Sequence, residues 1–213
     1  MNYGELRAAI ANFLQRSDPE MTASIPTWVT LATAVFNRDL RTPEMESRDT
    51  AAMTSEFIGL PSDFLEMRGV YKTDGTALRY LAAQQFAEVV SLQRAMETPI
   101  YTIEDFQLRL YPPPSASAPA SLTILYYERI PMPTSDSATN WLMRDWPDVY
   151  LYGSMMHARA WLHDDPRLAL VKQLYDEALA SVRRRKVHAT GIVSAVGSDI
   201  PAARLGWSIR RGI

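Results

Sequence analysis

The sequence predicts an α+β fold: a mainly helical bundle built from both chain ends, an inserted mixed β-hairpin and sheet region, and an extended C-terminal arm. Three observations predict it. Apolar residues recur at helical spacing near the start of the chain and again beyond residue 131. Between these stretches lie short segments rich in β-branched and aromatic residues, bounded by turn dipeptides. The final stretch has neither period. The expected organisation is a helical hairpin over 1–41, a β-rich insertion with one helix over 42–130, helices completing the body over 131–186, and an arm over 187–213.

The elements follow in order. Tyr3, Leu6, Ile10, Phe13 and Leu14 share one helical face, Asn2 and Glu5 form a capping-box pattern, and Ser17-Asp18-Pro19 ends the helix. A second helix is expected from Pro26 to Leu40, with proline in its first turn and Trp28, Leu31, Val35 and Phe36 facing inward. Strands are expected at Glu56–Leu60, Glu66–Lys72, Ala77–Tyr80, Ile100–Ile103, Gln107–Tyr111 and Leu122–Tyr127. Asp74-Gly75 marks one hairpin turn and Glu104-Asp105 a second. Ala82 to Met96 reads as a helix with Phe86, Val89 and Val90 on one face, and Pro112-Pro113-Pro114 closes the strand before it. Asp145-Trp146-Pro147-Asp148 introduces a helix to about Leu162. Asp165-Pro166 starts the last helix, with Leu168, Val171, Tyr175, Ala178 and Val182 as its buried stripe.

Composition is that of a globular protein, 47% apolar and 22% charged, so a sizeable core is available. The absence of cysteine excludes disulfides, thiolate nucleophiles and cysteine-ligated metals. No apolar run approaches the roughly 18 residues of a membrane span, and the first helix lacks the apolar core of a signal peptide. The net charge of −2 is unevenly distributed. Residues 183–213 hold seven of the 22 Lys and Arg but one of the 24 acids, a balance of +6 that leaves −8 upstream. This basic tail also keeps Ile192, Val193, Val196, Ile200, Leu205, Trp207 and Ile209. Solvated linkers are depleted in such side chains, so the tail reads as a segment that orders on another protein.

Catalytic and ligand-binding patterns are sparse. His157 and His163 lie six residues apart, not the four that aim two imidazoles at one ion, and His188 stands alone. Glu104 with Asp105, Asp63 with Glu66, and Asp164 with Asp165 are the carboxylate pairs a wall hydrolase would need, but each sits where turns and caps ordinarily place acids. No glycine-rich phosphate loop occurs, and no cofactor is implied. Arg183, Arg184, Arg185 and Lys186 suit phosphate contacts in a DNA-binding module, a basic helix end complementing the macrodipole, or docking on an acidic protein surface. Trp141, Trp146, Tyr150, Tyr152 and Trp161 are more aromatics than one helix can point inward, so Trp146, Tyr150 and Tyr152 are candidates for facing a neighbouring subunit. Trp207 is the best single anchor in the tail. The balance favours an assembly component over an enzyme.

The order and spacing of several segments resemble one family. Tyr3-Gly4-Glu5-Leu6, Gln15-Arg16-Ser17-Asp18, Asn37-Arg38-Asp39-Leu40-Arg41 and Met45-Glu46 are followed by Leu60-Pro61-Ser62-Asp63-Phe64, Tyr126-Tyr127, Asn140-Trp141-Leu142 and Pro147-Asp148-Val149-Tyr150-Leu151-Tyr152. Together they resemble the head-to-tail adaptor (connector) proteins of short-tailed bacteriophages. The resemblance implies a ring, usually of twelve subunits, beneath the portal protein, extending the DNA channel and offering a platform to a tail or nozzle protein. It implies a virion location, assembly in the host cytoplasm, no membrane, and DNA that passes through the lumen without sequence-specific binding. A C-terminal arm would engage the portal, which makes Arg183, Arg184, Arg185, Lys186, Ile200, Leu205, Trp207, Ile209, Arg210 and Arg211 the expected portal-binding residues. Fully extended, residues 187–213 span up to about 90 Å, against a radius of gyration near ~16 Å for the remainder.

Overall fold

The structure, a computed structural model, describes residues 1–15, 17–93, 98–158 and 167–198, with 185–198 described by backbone alone. The chain forms two compact units, a helical one from 1–44 with 132–213 and a β-rich one from 45–131. Mixed α+β character and helices drawn from both chain ends are as expected.

The helical unit contains α1 (Tyr3–Leu14), α2 (Pro19–Asp39), α4 (Trp141–Asp145), α5 (Pro147–Met155) and α6 (Arg167–Ser198). Leu6, Ile10 and Leu14 of α1 are buried. Its capping box is complete: Glu5 N donates to Asn2 Oδ1 at 2.8 Å, and Asn2 N donates to Glu5 Oε2 at 3.0 Å. Tyr3 N and Gly4 N donate to the carbonyls of Ala138 and Asp136, and Arg7 Nη1 lies 2.9 Å from Asp136 Oδ1. These bonds satisfy N–H groups that a helix start leaves open.

α2 begins seven residues before the expected start, with Pro19 in its first turn and Pro26 inside the helix. An interior proline costs about 3 kcal/mol. Met21 and Ile25, both fully buried, precede it on a stripe that continues through Trp28, Val29, Ala32 and Phe36. Each such burial contributes about 1.5–3 kcal/mol, so the stripe outweighs the proline. Leu31, expected to face inward, is 45% exposed, because the stripe runs along 25, 28, 29, 32 and 36 instead.

α5 ends at Met155 rather than near Leu162, and residues 159–166, which include Trp161 and His163, lie outside the described residues. Gly153 of α5 stands where three helices converge. A Cβ there would lie 2.6 Å from Phe36 Cζ of α2 and 3.2 Å from Tyr175 Cε2 of α6. α6 buries Val171, Ala178, Leu179 and Val182. It runs to Ser198, which corrects the expectation that an extended arm starts at Val187. Ala189, Ile192, Val193 and Val196 do recur at three and four, a short period masked by Gly191 and Gly197.

The β-rich unit holds two sheets. β1 (Glu46–Met53), β7 (Ala120–Glu128) and β3 (Phe64–Lys72) form one in the order β1-β7-β3. The second has the order β2 (Phe57–Gly59), β6 (Gln107–Tyr111), β5 (Ile100–Glu104), β4 (Arg79–Tyr80). Met53, Val70, Leu122, Ile124 and Tyr126 of the first share a core with Tyr101, Leu108 and Leu110 of the second. α3 (Ala83–Ser91) covers the other face of the second sheet with Phe86, which is fully buried. β1 went unforeseen because Glu-Ser-Arg-Asp-Thr-Ala-Ala-Met has little strand propensity; eight uninterrupted pairs with β7 hold it extended.

Both expected hairpin turns form. Gly75, at φ 85°, supplies the left-handed residue between Lys72 and Thr76. At the second turn, Asp105 and Phe106 both adopt left-handed backbone, φ 47° and 56°, without a glycine. Arg109 of β6 ties its sheet together. Its Nε donates to Glu56 Oε1 at 2.6 Å, Nη1 lies 3.5 Å from Glu104 Oε1, and the guanidinium sits between the rings of Phe57 and Phe86 at 5.2 and 5.1 Å.

Gly153→Ala tests the helical convergence. Overpacking of a well-filled site costs about 1–3 kcal/mol, against a propensity gain of up to about 1 kcal/mol. Urea unfolding should show a net loss of stability.

Candidate functional site

The surface suited to a partner runs along the first half of α6 to the basic cluster at its middle. Arg183 and Arg184 are exposed, and Arg184 Nη2 donates to Ser181 Oγ at 2.7 Å. An open groove of about 760 Å³ follows the same helix, lined among others by Ala169, Lys172, Asp176, Glu177, Ala180 and Arg184. Positions 169 and 184 are about 22 Å apart along a helix. The groove therefore offers acidic side chains midway and a guanidinium at one end. The basic cluster was expected at the close of the helix; instead Arg185 and Lys186 are followed by three further turns of helical backbone. Ile200, Leu205, Trp207, Ile209, Arg210 and Arg211 lie outside the described residues.

Of the residues expected to face a neighbouring subunit, Trp146 at the α4–α5 junction and Tyr152 are half-buried. Tyr150 is not available: it is fully buried inside the helical unit, which corrects that expectation. Its ring meets Phe36 edge-on with centroids 5.0 Å apart. Its hydroxyl completes a directed chain of hydrogen bonds. Asn140 Nδ2 donates to Tyr150 Oη at 3.1 Å, and Tyr150 Oη lies 2.9 Å from Thr33 Oγ1. Thr33 Oγ1 donates to the Val29 carbonyl at 2.8 Å, so the tyrosine must be the donor to Thr33. Asn140 Oδ1 accepts from Met143 N at 2.9 Å, capping α4. One phenol thus joins α2, α4 and α5. Sequence reading missed it because Thr33 and Tyr150 are separated by 117 positions.

The remaining chemistry is structural. Glu104 is engaged by Arg109, and Asp63 Oδ1 accepts from Tyr126 Oη at 3.1 Å. The Glu56 carboxylate raises the pKa of Arg109 further above its ordinary value, and Glu104 adds to this. Among the described residues, no group of three or more His, Cys, Asp or Glu side chains could hold a metal ion, and no helix is long and apolar enough to cross a membrane. Asp164 and Asp165 lie outside the described residues.

A helical unit closed by both chain ends, an inserted β unit and a basic final helix define an α+β protein with a partner-facing final helix rather than a catalytic pocket among the described residues. The family model described as SU10 adaptor protein matches residues 1–195, and the chain belongs to that family of phage head-to-tail adaptors. No curated protein matches it. Membership implies a structural role in the virion, contacts with portal and tail proteins, and an oligomer.

Burial holds the Tyr150 phenol above its ordinary pKa, partly opposed by its bonds to Thr33 and Asn140. The folded state therefore binds this proton more tightly than the unfolded chain. The stability this contributes is complete below pH about 10 and is lost as pH rises through the folded value. Tyr150→Phe should flatten that alkaline loss in unfolding titrations. At neutral pH it should cost about 1–3 kcal/mol, since the buried bonds from Asn140 Nδ2 and to Thr33 Oγ1 are both lost.

Proposed function

We propose that this chain forms a ring of twelve subunits beneath the portal, prolongs the DNA channel and presents the platform on which a tail or nozzle protein docks. It assembles in the host cytoplasm and remains in the neck of the virion. The observation that carries this reading is the segregation of charge and apolar residues toward the C-terminus, +6 over 183–213 against −8 upstream. A basic and apolar segment suits a groove on another protein, because ordering it costs on the order of 1–2 kcal/mol per residue. Only an extensive contact offsets that cost. The helix from Lys186 to Ser198 adds about 18 Å of reach, and the fifteen residues after it span up to about 50 Å. Arg183, Arg184, Arg185 and Lys186 then meet the portal first, with Ile200, Leu205, Trp207, Ile209, Arg210 and Arg211 completing the contact.

Trp146 and Tyr152 are the aromatic candidates for the subunit interface in the helical unit. The acidic balance upstream of residue 183 suits a channel wall that repels DNA rather than gripping it.

Removing Ile200–Ile213 should preserve the helical circular-dichroism signal and thermal transition while abolishing portal binding in co-sedimentation. Unchanged portal binding by the shortened chain would overturn the assignment of the arm. Electron microscopy of adaptor–portal complexes should count twelve adaptor copies around an inner wall that is not predominantly basic.

A further inference from the structure

The β-rich unit carries an exposed aromatic projection and an apolar cavity at opposite ends of the same hairpin. The projection is Phe106, at the turn between β5 and β6. Both central residues of that turn have positive φ, the geometry that favours Asn-Gly, yet the second is phenylalanine. A bulky residue is disfavoured in that conformation, and strain of this kind concentrates at functional positions. The backbone is held there from both sides: Glu104 pairs with Gln107, and Leu60 N donates to the Phe106 carbonyl at 3.0 Å. The ring itself is mostly uncovered by its own subunit, being 67% exposed.

The cavity lies at the other end of the hairpin. It has a volume of about 340 Å³ and is lined by Lys72, Asp74, Pro99, Leu110, Ala120 and Leu122, among others. That is near the lower limit of about 300–1,000 Å³ for small-molecule sites, so it suits one large side chain. Pro99 precedes β5 and Leu110 is near the end of β6, so the cavity sits where the strands end farthest from the turn. Leu110 lies four strand steps beyond Phe106, about 14 Å. The ring therefore cannot fill the cavity of its own copy. Charge also fits: Asp105 precedes the ring, and Lys72 stands at the cavity, where the Asp74 carboxylate already accepts from Thr76 N at 2.8 Å.

We propose that Phe106 of one copy seats in the Lys72–Leu122 cavity of a second copy, with Asp105 paired to Lys72. A projection and a receptor at opposite ends of one unit make a heterologous, head-to-tail contact, which closes into a ring or grows into a filament according to the rotation per copy. The proposal deepens the ring reading and rests on it, and it assigns the β-rich unit its share of the subunit interface.

The chain has no native cysteine, so an introduced pair reports the contact without background. The full chain carrying Asp105→Cys and Lys72→Cys, oxidised mildly alone and with the portal protein, should give a ladder of disulfide-linked copies on a non-reducing gel. Either single variant has no cysteine opposite its own and should stay monomeric. Adding Phe106→Asn to the double variant should reduce linkage on the order of 10- to 100-fold, the loss expected for an aromatic anchor. Asparagine tolerates left-handed backbone, so the fold persists, as an unchanged thermal transition will show. Absence of the ladder in both settings, or a ladder undiminished by Phe106→Asn, overturns the proposal. If the wild-type chain forms no closed oligomer on portals, the ring reading itself fails. If Phe106→Asn forms such oligomers as readily as wild type, only this contact fails.

Discussion

Tyr150 has to be buried, neutral and hydrogen-bonded on two sides at once, and the helical unit is arranged around that requirement. Its hydroxyl receives a proton donor from Asn140 and gives its own proton to Thr33, whose hydroxyl is passed on to the Val29 carbonyl. No partner in this chain can be reversed, because Asn140 Oδ1 is committed to Met143 N. A fixed polarity inside an apolar environment is costly to break and therefore specifies one arrangement of helices. Gly153 is the steric counterpart. By lacking a side chain it lets Phe36 and Tyr175 close on α5, which brings the phenol within reach of Thr33.

The β-rich unit solves a different problem. Its sheets are small, one of three strands and one of four, and β2 and β4 have only three and two residues. Strands that short add little ladder of their own. Arg109 compensates by gathering Glu56, Glu104, Phe57 and Phe86 around one guanidinium, so that β2, β5 and α3 are all held to β6. A planar cation with several donors can serve two carboxylates and two ring faces together, which lysine could not. The burial of the shared core by Leu108, Leu110, Ile124 and Tyr126 does the rest.

Much of this was legible in the residues, and the failures have physical causes. The capping box at Asn2, the Asp74-Gly75 turn and six of the seven strands were visible because each depends on neighbours in sequence. β1 was not, since its extension comes from pairing with β7 about 75 positions away. Pro26 was misread as a beginning because local rules outrank distant burial until the packing of Met21 and Ile25 is known. Tyr150 was misassigned to a surface for the same reason. A tyrosine's partners decide whether its hydroxyl can be buried, and those partners were Thr33 and Asn140. The acidic turn at Glu104-Asp105 was recognised, but the ring beside it was overlooked, because nothing in the sequence distinguishes an exposed phenylalanine from a buried one.

The division of the helical unit between the two ends of the chain has a consequence for biosynthesis. α2 leaves the ribosome well before α5, its packing partner, has been translated; at ~5–20 residues per second the interval is on the order of ten seconds. During that time only α1 is available to cover the apolar stripe of α2, with Trp28 and Phe36, whereas residues 45–131 already hold all the strands of their own sheets. Nascent chains of this protein therefore expose apolar helix surface at the stage when the inserted unit is complete and the helical one is not.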